Sequence, residues 1–560
     1  MPSSPTDRPA TATRRQVLKW CVASGAVTAV YGLLSSKSSR AVDGSQAIRS
    51  PFLQPFIDQL PIPPIKQPVV LIPAPGKNPV KGEAGRAPHQ VWDQFPPQVA
   101  YEIHARPGPH RFHAHLPEEI VWGYDGLLPG PTFIGRVGIP VVVRYYNELP
   151  ADHIGFGSPE ISTHLHAAHT PPDSDGFAGD YFSVTKSGPT LPGGPGLFYD
   201  YHYPAQPPEG DPRAVTGTLW YHDHRQDFTA ANVYKGLAGF VLAFDDLDTG
   251  DETTGLRLPA GVGKYDIPLL LQDKKFDASG HLFFDQFDPE GFLGDQYLVN
   301  GKVQPYLNVD ARKYRLRLLN GNTTRFFEMY LADEHDRDQE FTFIASDGNL
   351  LPESLTLKKI LLGMAERADI IVDFSKYDPG AKIYLVNRLE QNDPRKPTDK
   401  RLYPGIQMLE FRVGNRVDDR SQIPKKLREL PPINGAAVAR TRNFKFERTN
   451  GQWAINGRFF DPERADADPA RGVPEIWTLE AAGGWAHPIH IHCDDFRILS
   501  INDIPPPPEW SGRKDMMPLL PGDKARLLVR FTDFTGRYVM HCHNTVHEDH
   551  AMMLRFDVVL

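Results

Sequence analysis

Cysteine is scarce in this chain of 560 residues, which contains only Cys21, Cys493 and Cys542. Three cysteines spread over such a length cannot form the dense set of bridges on which small secreted disulfide scaffolds depend. Long apolar runs are also missing, because no segment after the N-terminal region approaches the roughly 20 residues that a membrane-spanning helix requires. The sequence therefore excludes a disulfide framework and predicts no stable membrane insertion.

Positive charge is in deficit, since 61 Lys and Arg face 69 Asp and Glu, for a net charge of −8. Residues 1–41 contain six basic side chains and one acidic side chain, so their removal changes the charge to −8 − 6 + 1 = −13. A chain this acidic repels the phosphate backbone of nucleic acids. We therefore expect no nucleic-acid partner.

The N-terminus has the pattern of an export signal. Arg14 and Arg15 begin the run RRQVLK, which is followed by the apolar segment 21–34 and by small residues up to Ala41. A twin-arginine pattern of this kind is read by a receptor and removed from the mature chain. We predict a twin-arginine signal at 1–41, the twin-arginine export machinery as a partner, and a periplasmic or extracellular protein; a chance Arg-Arg before a short helix is the alternative.

Proline and glycine are abundant, with 54 and 47 residues, and this composition favours many short strands joined by turns. The length suggests three or four domains, of which three is the better count. Alternating stretches such as 141–146 predict strands. We expect an all-β chain with a Pro-rich arm at 42–95, extended over the first two domains, and domains at 96–245, 255–415 and 430–560.

Histidine is concentrated in His-x-His pairs. Residues i and i+2 of a strand share one face and are about 6.5 Å apart, too far for both imidazoles to bind one ion comfortably at ~2 Å. Each pair should therefore bridge two metal ions. Four pairs are assigned this role: His164 and His166, His222 and His224, His490 and His492, His541 and His543. A single such pair is more often structural, and we assign that role to a fifth pair, His113 and His115.

The segment from His541 to Met552 contains a second kind of ligand set. Cys542 points away from His541 and His543 if the segment is a strand, so one strand would serve two metal sites. A thiolate, two histidines and a weak axial methionine form a trigonal copper site. His547 and Met552 follow Cys542 at suitable spacing, with Met553 as a competitor for the axial position, and the remaining histidine is His487. Cys493 is expected to be a buried apolar residue.

Further segments accompany these ligands: WGYDGLLPGPT at 122–132, TPPDSDG at 170–176, VNGK at 299–302, YRLR at 314–317 and ERADII at 366–371. Together with the ligand spacing, they resemble three-domain multicopper oxidases, the group of laccases, bilirubin oxidases and phenoxazinone synthases, and most of all the bacterial spore-coat laccases. The resemblance extends from about residue 52 to the C-terminus. It implies three cupredoxin-like Greek-key β-sandwich domains with few short helices.

The resemblance also implies four copper ions. Type 1 copper would be held by His487, Cys542, His547 and Met552, and type 2 copper by His164 and His490. The type 3 pair would be held by the remaining histidines: His166, His222, His224, His492, His541 and His543. Asp175 and Glu548 are candidate proton relays, because O₂ reduction consumes protons. A simple turn at Asp175 and a surface helix position for Glu548 are the structural alternatives.

The resemblance implies oxidation of a phenolic, aminophenolic or bilirubin-like donor coupled to reduction of O₂ to water, by a monomer. An oxidase of Cu(I), Mn(II) or Fe(II) and a non-catalytic copper-resistance protein remain as alternatives. Nine methionines with no Met-rich insertion disfavour Cu(I), and copper nitrite reductases lack this many histidine pairs. The sequence departs from the family pattern at Ala167-Ala168 and at 225–227. His169 and His202 are interpreted as structural, and the second domain as a scaffold without ligands.

Overall fold

The computed structural model describes residues 48–431 and 438–560. The twin-arginine pattern at 1–41 lies outside these residues. Strands dominate the described part, joined by turns and by a few short helices. The strands form six sheets, which occur in three pairs along the chain.

The described part of the Pro-rich arm, residues 48–95, contains isolated bridges instead of regular strands. Gln59 pairs with Tyr306, Ile65 with Thr132 and Glu83 with Phe198. Proline lacks the N–H that a central strand donates, which explains why the arm adds no regular strand to the sheets of the first and second sandwiches. The arm thus follows the first and second sandwiches, and it also reaches the third, where the Gln90 side chain donates to the Thr535 carbonyl at 2.9 Å.

The first sandwich consists of two four-stranded sheets, with strand orders β2-β1-β4-β6 and β3-β8-β7-β5. Its strands are β1 (Val99–His110), β2 (Glu119–Tyr124), β3 (Phe133–Arg136), β4 (Val141–Asn147), β5 (Thr163–His166), β6 (Phe198–Tyr203), β7 (Thr218–Asp223) and β8 (Ala238–Phe244).

The second sandwich pairs an eight-stranded sheet, ordered β12-β11-β9-β14-β20-β17-β18 with β10 beside β9, and a six-stranded sheet, ordered β13-β22-β21-β15-β16 with β19 beside β15. Its strands are β9 (Asp266–Phe276), β10 (Leu282–Phe283), β11 (Gln296–Val299), β12 (Lys302–Val303), β13 (Tyr306–Ala311), β14 (Lys313–Asn320), β15 (Phe327–Asp333), β16 (Asp338–Gln339), β17 (Phe341–Ser346), β18 (Asn349–Leu357), β19 (Lys359–Leu362), β20 (Arg367–Asp373), β21 (Lys382–Leu389) and β22 (Arg401–Arg416). None of the predicted ligands lies in this range.

The third sandwich pairs a six-stranded sheet, ordered β24-β23-β26-β31-β28-β29, and a five-stranded sheet, ordered β25-β33-β32-β27-β30. Its strands are β23 (Arg440–Thr449), β24 (Gln452–Ile455), β25 (Ala465–Ala467), β26 (Glu475–Ala481), β27 (His487–Ile491), β28 (Phe496–Ile501), β29 (Arg513–Lys514), β30 (Met516–Leu519), β31 (Lys524–Val529), β32 (Gly536–Cys542) and β33 (Met553–Val558). Cys542 and Met552 are fully buried in the apolar core between these sheets, with Phe446 and Ile489.

Helices in the described residues are short. The two α-helices are α1 (Thr229–Lys235) and α2 (Thr545–Asp549), and the 3-10 helices are Pro172–Ser174, Pro208–Gly210, Pro212–Ala214, Phe374–Lys376 and Pro508–Trp510. The Asp549 carboxylate of α2 accepts from the Thr229 and Ala230 N–H groups at the start of α1, at 2.7 and 3.0 Å. A carboxylate at the N-terminal end of a helix stabilises that helix. The contact also joins the first sandwich, which carries α1, to the third sandwich, which carries α2. No helix of the described residues is both long and apolar enough to cross a membrane.

Candidate metal centre

Strand pairing brings the histidine pairs together two by two. His164 on β5 lies opposite His222 on β7 in the first sandwich, and His490 on β27 lies opposite His541 on β32 in the third. All eight histidines are buried. The two strand pairs face each other, and the eight rings divide into one group of two and two groups of three.

The group of two spans the two sandwiches. The Nε2 atoms of His164 and His490 are 3.4 Å apart. Two nitrogens at this separation fit around one ion that each would bind at about 2 Å.

The first group of three consists of His224, His492 and His541. Nε2 of His541 is 3.2 Å from Nε2 of His224 and 3.3 Å from Nε2 of His492. The second group consists of His166, His222 and His543, whose ring centroids are 5.3 to 5.7 Å apart. Each His-x-His pair therefore contributes its two members to different groups.

The second ring nitrogen of most of these histidines is hydrogen-bonded to protein. The Nδ1–H groups of His164, His222 and His490 donate to the carbonyls of Asp175 (2.5 Å), Asp223 (2.9 Å) and Asp515 (3.0 Å). Such bonds fix which nitrogen is free to bind a metal. The free nitrogens are buried, and Nε2 of His222 and both nitrogens of His543 have no hydrogen-bond partner.

Electrostatics favour neutral rings at this centre. Burial, followed by the proximity of His224, lowers the pKa of His222 to about 3. Burial likewise lowers the pKa of His487 to about 3. Neutral imidazole is the form that binds a metal, so these rings are ready to do so at neutral pH.

A sulfur-containing site lies on the other side of β32. Sγ of Cys542 is 3.4 Å from Nδ1 of His487 and 3.7 Å from Nδ1 of His547, and these two nitrogens are 3.3 Å apart. Burial raises the pKa of the Cys542 thiol, so the thiolate requires a bound cation. His541, Cys542 and His543 thus point alternately to the two sites, as the extended backbone dictates.

Two neighbouring methionines occupy different environments. The Met552 N–H donates to the His547 carbonyl and the Cys542 N–H donates to the Met552 carbonyl, both at 3.0 Å. Met552 belongs to the same buried core as Cys542, whereas Met553 packs on Phe177 and Val539 in a separate cluster. Of the two competitors for the axial position, the geometry favours Met552.

Asp175 contacts histidines of two different groups. Its carbonyl accepts from His164, and its Oδ2 accepts from Nδ1 of His492 at 2.7 Å. Its Oδ1 is buried without a hydrogen-bond partner, and burial raises the pKa of Asp175 well above its usual value. Asp175 follows the 3-10 helix Pro172–Ser174, so the predicted turn exists, but it serves to deliver this carboxylate.

Glu548 is a buried helix residue, so the alternative of a surface helix position is wrong. It is 3% exposed on α2, with Oε2 3.0 Å from Nδ1 of His541 and Oε1 accepting from the Thr229 hydroxyl at 2.8 Å. Burial favours the neutral acid, but His541 and His224 outweigh that effect and lower the pKa of Glu548. Asp175 and Glu548 therefore sit beside different histidines with their pKa values displaced in opposite directions.

Asp223, between His222 and His224, directs its carboxylate to other groups: it accepts from the Ser162 N–H and the Asn232 side chain, at 3.0 and 2.8 Å. Two of the histidines interpreted as structural donate to backbone carbonyls. Nε2 of His113 donates to the Gln54 carbonyl, and Nε2 of His202 donates to the Phe95 carbonyl. Cys493 is buried at a positive φ of 80°.

Asp515 accepts hydrogen bonds from ring nitrogens of two cluster histidines, a role that the sequence did not indicate. Its Oδ1 accepts from Nε2 of His166 at 2.9 Å, while its carbonyl accepts from His490. Arg367 of the second sandwich holds the same carboxylate through two N–H donors. Because Nε2 of His166 is engaged, its free nitrogen is Nδ1, which is buried without a partner. The second sandwich, expected to be only a scaffold, thus contacts the centre through Arg367.

Aromatic rings also line both sites. Trp220 stacks on His222 with centroids 4.1 Å apart, and Trp453 lies over His547 at 4.0 Å. The sequence alone does not distinguish either tryptophan from an ordinary core residue.

The residues present fit copper. Imidazole suits copper ions, and one buried thiolate with two imidazoles and a thioether is the donor set of a trigonal blue-copper site. The buried, unpartnered nitrogens of His166, His222 and His543 are the feature that a metal ion would satisfy.

Comparison with known proteins gives a single family. Two Multicopper oxidase family models match residues 109–246 and 434–559. The bilirubin oxidase of Albifimbria verrucaria is 35% identical over 522 residues, covering 91% of this chain and 82% of that protein. The laccase of Bacillus subtilis (strain 168) is 32% identical over 562 residues, covering 90% and 99%. The crystal structure of a multi-copper oxidase from Pediococcus acidilactici has a TM-score of 0.70 at 26% identity, covering 91% of this chain and 92% of that one.

These relatives do not favour the metal-ion oxidase or the non-catalytic copper-resistance protein. The all-β architecture agrees with the sequence prediction of cupredoxin-like sandwiches and is shared with the solved multicopper oxidases. Given the match to relatives over nine-tenths of the chain, it belongs to the multicopper oxidase family and is a laccase-like oxidoreductase that uses copper, an electron donor and O₂.

Proposed function

We propose that this protein oxidises phenolic, aminophenolic or bilirubin-like donors one electron at a time and reduces O₂ to water at a separate centre. The observation that carries the proposal is the alternation at His541, Cys542 and His543. The Cys542 sulfur faces His487 and His547, while its two neighbours face the histidine groups. A single strand thus connects a donor-side site to an O₂-side site through a few covalent bonds.

Four copper ions fit the observed groups. His487, Cys542, His547 and Met552 would hold type 1 copper, and His164 and His490 would hold type 2 copper. His224, His492 and His541 would hold one type 3 ion, and His166, His222 and His543 the other. When bound, copper supplies one-electron redox chemistry at the donor site and four-electron chemistry toward O₂.

Asp175 and Glu548 would supply protons to the O₂-side centre. Both carboxylates are buried beside cluster histidines. Oδ2 of Asp175 accepts from Nδ1 of His492, and Oε2 of Glu548 lies 3.0 Å from Nδ1 of His541. A carboxyl group within reach of the reacting oxygen relays protons more effectively than bulk water. Glu548 is further tied to Thr229 at the start of α1, which fixes its orientation.

We further propose that residues 1–41 direct export by the twin-arginine route and that the mature protein is a periplasmic or extracellular monomer. The supporting feature is the RRQVLK run at 14–19 with the apolar segment behind it. The domains are proposed at 96–245, 255–415 and 430–560, each of which contains one pair of sheets.

Oxygen uptake by the copper-loaded protein tests the proposal. A phenol, bilirubin, Cu(I), Mn(II) and Fe(II) are offered in parallel at equal concentration. We expect uptake with the organic donors. Uptake confined to a metal ion, or blue absorption with no uptake for any donor, contradicts the proposal.

The substitution Cys542→Ser is expected to abolish both the blue absorption and phenol oxidation, because a serine hydroxyl cannot replace the thiolate as a copper ligand. Absorption spectra, copper content and oxygen uptake are measured on the same preparation. Cys493→Ser is the matched control, since Cys493 is a buried thiol outside the predicted ligand set. Blue colour retained by Cys542→Ser contradicts the ligand assignment.

A further inference from the structure

A cavity of about 140 Å³ lies between the two sheets of the first sandwich. Val141, Val143 and Tyr145 line it from β4, and Val241 and Ala243 line it from β8. Within each strand these residues are two positions apart, so they share the face that the strand turns toward the opposite sheet. The cavity therefore occupies space in which a β-sandwich normally packs core side chains.

One wall of the cavity is the strand that carries the first histidine pair. Leu165 of β5 and Leu219 of β7 line the cavity. His164 and His166, the neighbours of Leu165, point the other way and contact histidines of the third sandwich. One face of β5 therefore belongs to the histidine centre, and the opposite face belongs to the cavity.

The cavity opens toward the surface at one end. Burial decreases from Val143 and Leu165, which are buried, to Gln206 and Thr216, which are half-buried, and to Arg136, which is exposed. A small molecule that enters from solvent thus passes a polar rim before it reaches the apolar interior.

Small side chains keep this space open. Five alanines lie on the cavity wall: Ala167, Ala168, Ala205, Ala214 and Ala243. An alanine has no atom beyond Cβ with which to fill the gap that it faces. Ala167 and Ala168 are also a place where the sequence departs from the pattern of multicopper oxidases, so this departure coincides with part of the cavity wall.

Every charged side chain on the cavity wall has a partner within the protein. The partners are Asp494 for His169, Asp246 for Arg136 and the Asn349 amide for Asp495, at 2.6, 2.7 and 3.0 Å. A charged ligand would therefore lose its hydration without gaining an ion pair. The wall favours a neutral occupant.

Aromatic rings line much of the interior. Tyr101, Phe133, Tyr145 and Tyr203 all contribute to the wall, and Tyr101 meets Phe133 edge to face with centroids 5.1 Å apart. Aromatic rings bind further rings in edge-to-face or offset arrangements. An apolar cavity of about 150 Å³ in another protein holds benzene, so the volume here suits a single six-membered ring.

We propose that this cavity is a binding site for small neutral aromatic molecules of one ring, separate from the site at which donors are oxidised. The inference goes beyond the proposed oxidase function and does not depend on it. Neutral phenols belong to the same chemical class, so such a donor would also fill the cavity at high concentration. It would not be oxidised there, because His164 and His166 face the opposite side of β5.

Titration calorimetry of the copper-loaded protein with benzene tests the proposal, with benzoate as the charged molecule that has the same ring. Neither has a phenolic hydroxyl, so neither reports donor oxidation. We expect one benzene per chain with a Kd of about 1 mM, the scale of a ligand with six heavy atoms, and binding of benzoate at least tenfold weaker. Benzene should also raise the midpoint of thermal unfolding, because it binds only the folded state.

Ala243→Leu and Ala214→Leu fill the cavity from two different walls, so the test survives if one of them fails to fold. Each is expected to weaken benzene binding at least tenfold while blue absorption and phenol oxidation stay unchanged. Ala465→Leu is the matched control, because it makes the same change at an exposed position of β25 in the third sandwich, and it should keep the original Kd.

Three results would overturn the inference: no saturable binding of benzene, equal affinity for benzene and benzoate, or an unchanged Kd in a folded variant with a filled cavity. Oxygen uptake with a phenol is measured on the same preparations. Benzene binding without oxygen uptake would contradict only the oxidase proposal, whereas oxygen uptake without benzene binding would contradict only the inference about the cavity.

Discussion

At the scale of single residues, Asp175 performs two tasks with two different groups. Its backbone carbonyl orients His164, and its side chain orients His492. These histidines come from different sandwiches and fall into different ligand groups. One residue in a short turn therefore couples the two halves of the histidine centre, and its carboxyl group retains one oxygen with no hydrogen-bond partner.

The substitution Asp175→Asn separates proton transfer from ligand orientation. The amide oxygen can still accept from His492, but an amide cannot carry a proton. We expect kcat for O₂ reduction to fall by about 10²-fold, the scale of a lost general acid, with unchanged copper content and blue absorption.

Asp180→Asn is the matched control, because Asp180 is a buried carboxylate that pairs with Arg537 instead of a cluster histidine. Loss of copper from Asp175→Asn would show that the carboxylate is needed for ligand orientation. An unchanged kcat would show that it relays no protons.

At the scale of structural elements, the turn at Gly176 fixes the position of β5. Gly176 has a φ of 78°, and a Cβ there would lie 2.2 Å from the Thr163 carbonyl oxygen and 2.7 Å from Cα of His164. Only glycine permits this approach, since both the backbone conformation and the contact exclude a side chain. The turn that delivers Asp175 therefore packs directly on the strand that carries His164.

Gly176→Ala is expected to displace β5, to lower the free energy of unfolding by about 2 kcal/mol or more, and to reduce the copper content. Urea denaturation and metal analysis measure the two effects. Gly451→Ala is the control: Gly451 has nearly the same φ, 79°, but a Cβ there meets nothing within 4 Å. It should lose stability through backbone strain alone and keep its copper. Equal effects of the two substitutions would contradict this account.

Many features of the histidine centre could be predicted from patterns within single strands of the sequence. Strand periodicity was enough to predict that His541 and His543 face away from Cys542, because the alternation is local. Strand periodicity could not predict which groups form hydrogen bonds with the second ring nitrogen of each histidine. The carbonyls of Asp515 and Glu290 act through backbone groups, whose partners depend on which distant strands and loops meet. Spacing favours Met552 over Met553, but it does not show the cluster into which each side chain packs.

The same limit explains two differences in the fold. A surface position was the structural alternative for Glu548, because the sequence of a short helix does not show whether other elements cover all its sides. The arm at 48–95 contacts the third sandwich through Gln90 as well as the first two, and such a contact has no local signature. Strand existence follows from composition and periodicity, whereas the packing of separate elements does not.

At the scale of the whole molecule, His169 joins the first and third sandwiches. Its Nδ1 is 2.6 Å from Asp494 and its Nε2 is 2.9 Å from Asp533. Burial alone would disfavour the imidazolium, but the two carboxylates outweigh burial and raise the pKa of His169 to about 9. The interpretation of His169 as structural agrees with this bridging position.

A pKa raised in the folded state means that protonated His169 stabilises the fold. The contribution is fully present below the unfolded pKa of 6.5 and is lost as pH rises through about 9. A difference of that size corresponds to about 3 kcal/mol. Urea unfolding between pH 6 and pH 10 should show this decline in the native protein and a flatter profile in His169→Gln. Identical profiles would exclude the contribution.

The order of the ligands along the chain has a consequence for biosynthesis. Four of the eight paired histidines lie between residues 164 and 224, and the other four lie between 490 and 543, so each of the three ligand groups draws on both stretches. A polypeptide still emerging from the ribosome cannot complete the metal cluster until His541 and His543 have been made. Acquisition of copper is therefore expected to be a late event in the life of each molecule, and fragments ending before Cys542 are expected to remain colourless because they lack the thiolate.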